Sequence, residues 1–72
     1  SVAEQITILF AANNGILDDI QNTDIGKFKK EWFAYLNTNL VELVEKLNGG
    51  AKLEDADKTL LNDALIKFKK TF

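Results

Sequence analysis

Residues 40–50 read Leu-Val-Glu-Leu-Val-Glu-Lys-Leu-Asn-Gly-Gly, or LVELVEKLNGG. Leu40, Leu43, Val44 and Leu47 recur at three- and four-residue steps, which places them on one face of an α-helix. Glu42, Glu45 and Lys46 fall between them, on the side left to water. Asn48-Gly49-Gly50 then reads as a stop, because Gly and Asn tolerate the left-handed conformation in which helices commonly end. Asn39 and Glu42 have the spacing of a capping box, which predicts the start. A strand would need alternation with period two, and no stretch of the chain has it. The stretch therefore sets an all-α reading, provided its neighbours repeat the pattern.

They do. Ile25, Phe28, Trp32, Tyr35 and Leu36 predict a helix beginning at Thr23, whose hydroxyl can cap while Asp24 complements the helix dipole. Gly26 sits in its first turn and weakens it by up to ~1 kcal/mol relative to Ala. Asn37-Thr38-Asn39 prefers caps and turns and is expected to separate this helix from the next. Further upstream, Ser1 and Glu4 have capping-box spacing and open a helix over roughly Val2 to Asn14. Ala3, Ile6, Leu9, Phe10 and Asn13 share one of its faces, and Ile8 and Ala12 widen the apolar stripe, implying contacts on more than one side. Asn13-Asn14-Gly15 closes it. Downstream, a fourth helix starts near Glu54. Glu54, Asp55 and Asp57 crowd its beginning and Lys67, Lys69 and Lys70 its end, both favourable to the dipole. Leu60, Leu61, Ala64, Leu65, Phe68 and Phe72 make its expected buried face. The sum is one small all-α bundle of about four helices, adjacent helices mostly antiparallel, over residues 1–72.

Composition excludes much chemistry. With 72 residues, the chain suits one small domain, and 46% hydrophobic content must hold it together by packing alone. There is no Cys, hence no disulfide or thiolate metal site, and no His, the commonest metal ligand and general base. All nine cations are Lys, so bidentate phosphate recognition by Arg is excluded within this chain. A net charge of −2 argues against nucleic acid as partner. The longest apolar run, Ile8 to Ala12, is far short of the ~20 residues of a membrane span. No signal-peptide pattern is present, and with Ser as first residue the true start is expected upstream.

The remaining motifs have plain readings. Asp18 and Asp19 are adjacent, diverge in direction and lack a third ligand, so a solvated turn outweighs a paired-carboxylate site. Asp55-x-Asp57-x-Thr59 lacks the Gly and Glu of a calcium loop; Leu60 and Ile66 stand there instead. Gly49-Gly50-Ala51-Lys52 lacks the phosphate-loop spacing. Lys27-Phe28-Lys29-Lys30 recurs as Lys67-Phe68-Lys69-Lys70, a repeat read as two core Phe residues among solvated Lys. Phe33 lies about 100° from Trp32 around the helix and is the best candidate for a partner-facing aromatic. Composition and patterning alone give a helical interaction domain, such as an adaptor for partner helices.

Several stretches together resemble one family. Glu4-Gln5-Ile6-Thr7-Ile8-Leu9-Phe10-Ala11-Ala12 resembles the first helix of the C-terminal domain of the alpha subunit of F-type ATP synthase. Gly15-Ile16-Leu17-Asp18-Asp19-Ile20 is similar to that family's G-[YF]-L-D segment, and Phe28 to Leu36 to its F-E-x-x-[FL]-x-x-[YH]-[LV] helix. Residues 66–72 resemble the end of bacterial alpha subunits. Ile16, Gln21 and Lys29 depart from the family, which usually has an aromatic, often Pro and often Glu at these places. The acidic D-E-L-S-E-E-D string of the beta counterpart is missing, which favours alpha.

The resemblance implies a non-catalytic structural and coupling part of a complex that makes ATP from ADP and phosphate using a proton gradient. It implies no cofactor in this segment, since ATP and magnesium bind in the subunit's nucleotide-binding domain. The implied partners are neighbouring beta subunits, the central rotor shaft and that nucleotide-binding domain, with no nucleic acid and no membrane insertion. The implied place is the cytoplasmic face of the bacterial inner membrane, within a peripheral complex. By position, Gly15 to Asp24 would be the turn nearest the rotor, which makes Asp18, Asp19 and Asp24 candidate rotor-facing residues beside Phe33.

Overall fold

A computed structural model describes residues 1–72. Four helices follow one another: α1 (Val2–Asn13), α2 (Asn22–Asn39), α3 (Val41–Asn48) and α4 (Asp55–Thr71). There is no strand, and the bundle measures 32 × 20 × 17 Å.

α1 packs against each of the other three helices. Its buried line is Ala3, Thr7 and Ala11, one residue per turn and all small, so neighbouring backbones can approach closely. This differs from the stripe expected from hydrophobicity. Leu9 is 60% exposed, Asn13 is exposed, and Ile6, Ile8 and Phe10 are half-buried at the edges. Thr7 holds the centre because its hydroxyl has work there: it accepts from Trp32 Nε1 at 3.1 Å and donates to the Glu4 carbonyl at 3.2 Å.

α2 buries Phe28, Trp32 and Leu36 at four-residue steps. It meets α4 through rings: Phe28 contacts Phe72 at 5.3 Å between centroids, and Trp32 and Tyr35 contact Phe68 at 5.5 and 5.4 Å. The pairing of early α2 with late α4 makes these helices antiparallel. The Thr7–Trp32 and Glu4–Asn37 bonds do the same for α1 and α2. α3 contributes Leu43 and Leu47, and α4 contributes Leu61, Ala64 and Leu65. Leu60 and Phe72, expected inside, are 50% and 40% exposed.

The helix stops follow the sequence. Gly15 adopts φ +74 and Gly50 φ +97. After α1, the Ile16 N–H donates to Ala11 O and Gly15 N–H to Ala12 O; after α3, Ala51 N–H donates to Lys46 O and Gly50 N–H to Leu47 O. Both are Schellman motifs, and at the first the buried Ile16 packs with the buried Ala11 in one core cluster. An aliphatic side chain thus fills the place where the family that the sequence resembles usually has an aromatic.

Two expected caps are replaced. The Ser1–Glu4 capping box forms as expected. Thr23, however, lies inside α2, whose N-cap is Gln21 at φ −65, ψ 147 with no side-chain bond. Asn39 does not cap α3 either. Asn37 and Asn39 donate to the carbonyls four residues back, Phe33 O at 2.7 Å and Tyr35 O at 3.2 Å, and the helix runs through them. Leu40 alone separates α2 from α3.

Candidate functional site

The acidic turn is the connection from α1 to α2. Gly15 breaks α1, Ile16 anchors the chain in the core, and the Asp18 and Ile20 N–H groups donate to the carbonyls of Gly15 and Leu17 at 3.3 and 3.1 Å. Asp18 and Asp19 are both exposed, the Asp18 carboxylate folded back beside Gly15. Asp19 accepts from Lys69 of α4 at 3.1 Å, but its side chain is 84% exposed, so the pair is screened and weak. Asp24 is exposed in the first turn of α2, where it faces the helix dipole favourably.

The structure gathers only part of the expected set. Asp19 and Asp24 line one shallow hollow of about 330 Å³ with Ile20, Gln21, Lys69 and Phe72. Asp18 lies outside it, its carboxylate turned back toward Gly15. Phe33 is half-buried against the core cluster. No group of three or more carboxylates stands close enough to hold a metal ion.

The other polar contacts tie helices together. Lys46 Nζ near the end of α3 lies 2.7 Å from Asp57 Oδ2 and 3.6 Å from Glu54 Oε1 at the start of α4. The Lys46 hydrogen bond, aided by the Glu54 N–H, holds the Asp57 carboxyl below its ordinary pKa. The same bond to Asp57 raises Lys46. Glu4 is lowered chiefly by the Asn37 amide at 2.9 Å, then by the N-terminal ammonium. Asn48 Oδ1 accepts from the Ala3 N–H at 2.9 Å, so the end of α3 caps the start of α1. Asp57 is thus committed to an interhelical tie, and Asp55, Asp57 and Thr59 lie in the helix α4 rather than in a loop. Hydrophobic period carries no signal for Thr7, Asn48 or Lys46, whose roles depend on which helices become neighbours.

A family model described as ATP synthase alpha/beta chain, C terminal domain, matches residues 1–68. The chain belongs to this family. It is 41% identical over 71 residues to the ATP synthase subunit alpha of Buchnera aphidicola subsp. Baizongia pistaciae, 99% of this chain and 14% of that relative. This ATP synthase domain is therefore of the alpha type, and it spans about one-seventh of the length of the curated relative it matches. No solved structure matches it. An unrelated helical adaptor gains no support from these matches. No helix of the ATP synthase domain is long and apolar enough to cross a membrane.

Proposed function

We propose that this domain is a structural and coupling element of a rotary ATP synthase, which makes ATP from ADP and phosphate using a proton gradient, and that it takes no part in the chemistry itself. The observation that carries this reading is the family match over residues 1–68, nearly the whole chain. The side-chain inventory supports it: catalysis would fall to the nucleotide-binding domain elsewhere in the subunit, with ATP and magnesium bound there. The partners are neighbouring beta subunits, the rotor shaft and the subunit's own nucleotide-binding domain, and the complex sits at the cytoplasmic face of the bacterial inner membrane.

The outer face of α1 supports a covering neighbour. Val2 and Leu9 are 50% and 60% exposed, and Ile8, Leu9, Ala12 and Leu17 form most of a hollow of about 380 Å³. Apolar surface of this kind marks an interaction site, and the nucleotide-binding domain is its proposed occupant. The exposed turn with Asp18, Asp19 and Asp24 is the proposed rotor side. Titration calorimetry with magnesium–ATP tests the division of labour. The 72-residue chain is expected to give no saturable heat while the full subunit does, and saturable binding to the short chain would overturn the proposal.

A further inference from the structure

The two Lys-Phe-Lys-Lys strings, residues 27–30 and 67–70, meet in space. Phe28 and Phe68 pack edge to face with centroids 5.4 Å apart, so six of the nine lysines gather at one end of the bundle. Of these six, Lys69 alone forms an ion pair. At the same end, Gly15 and Ile16 of the α1–α2 connection and Ile66, Lys69 and Lys70 of α4 line a groove of about 400 Å³. Ile66, 39% exposed, supplies the apolar surface beside the buried Ile16, and Lys70 supplies charge that no carboxylate in the chain pairs with.

We propose that this groove docks an acidic amphipathic helix of a protein partner. One apolar side chain would rest on Ile66, and flanking carboxylates would meet Lys70 and Lys67. The inference goes beyond the coupling reading above and does not depend on it. Charge complementarity selects an anionic partner, and two observations select protein among anionic partners. Phe28 is fully buried and Phe68 half-buried, so neither ring can stack on a base. Asp18, Asp19, Asp24 and Glu31 are interleaved with the lysines, which repels a uniformly anionic bilayer or phosphodiester chain but suits a helix of mixed charge.

Fluorescence anisotropy tests this with a labelled Ala-based helical peptide carrying one Leu flanked by Glu, titrated with the intact subunit that contains this chain. Saturable binding is expected. Lys67→Gln with Lys70→Gln should weaken it about tenfold, since two partly exposed pairs together are worth about one decade. Ile66→Ser, at a half-exposed position, should weaken it through the apolar contact. Lys52→Gln with Lys58→Gln, toward the other end of α4, should leave it unchanged. No saturable binding, equal weakening by the remote pair, or tighter binding to phosphatidylglycerol vesicles or single-stranded DNA would overturn the proposal.

Discussion

Replacing Thr7 with Val removes one oxygen from the interior and keeps the side chain's shape. In the parent, Thr7 is fully buried and its oxygen accepts from Trp32 Nε1 at 3.1 Å. The variant leaves that indole N–H buried without a partner, which costs about 1–3 kcal/mol. The added methyl returns up to about 0.8 kcal/mol of apolar burial. The net loss expected is about 1–2 kcal/mol. For a chain of this size, each kcal/mol moves the melting temperature by about 4–8 °C. Thermal unfolding followed by far-UV circular dichroism should therefore show Tm lower by about 4–16 °C. Thr7→Ser keeps the acceptor and loses only a methyl, so its loss should be smaller. Trp32→Phe removes the donor, and a double-mutant cycle with Thr7→Val should return a coupling energy of about 1 kcal/mol. A Thr7→Val protein as stable as the parent, or a cycle with no coupling, would refute the view that this bond sets which face of α1 turns inward.

Glycines at two positions should respond with opposite signs. Gly26→Ala in α2, where an added Cβ meets nothing within 4 Å, should stabilise by about 0.5–1 kcal/mol in urea unfolding. Gly15→Ala, at φ +74 and with Asp18 Oδ2 3.2 Å from the new Cβ, should destabilise by about 1–2 kcal/mol. Gln21→Pro should stabilise by about 0.4–1 kcal/mol in urea unfolding, because Gln21 already has φ −65 and its N–H donates to no backbone carbonyl. Asp57 and Glu4 have lowered pKa values, so their stabilisation is present above the unfolded values near ~4 and is lost as pH falls through the folded ones. Lys46, being raised, loses its share only as pH climbs past ~10.4. Urea midpoints measured from pH 2 to 7 should fall below pH ~4, and Lys46→Met should shrink that fall; an unchanged acid limb in the variant would remove the ion pair from the account.

What the sequence showed and hid follows from what periodicity measures. The stripes of α2 and α3 were legible because large apolar side chains mark them: Phe28, Trp32, Leu36, Leu43 and Leu47 are all buried. α1 was misread for the complementary reason. Its inner line is small and partly polar, while Leu9 lies outside, and hydropathy ranks Leu9 above Thr7. The stops at Gly15 and Gly50 were legible because the left-handed conformation demands Gly. The starts at Gln21 and Leu40 were not, since neither uses a side-chain cap and the better capping residues, Thr23 and Asn39, lie within α2. The acidic turn was visible as exposed carboxylates, but its tie to Lys69, 50 positions away, depends on the fold. So does the meeting of the two Lys-Phe-Lys-Lys strings.

Reversing Asp18 and Asp19 to Lys in the assembled complex tests the coupling role most directly, with proton pumping and ATP hydrolysis measured side by side. A turn that faces the rotor predicts that fewer protons move per ATP hydrolysed while hydrolysis itself continues. Unchanged coupling in the double reversal would contradict that role and leave residues 14–21 a connector between two helices.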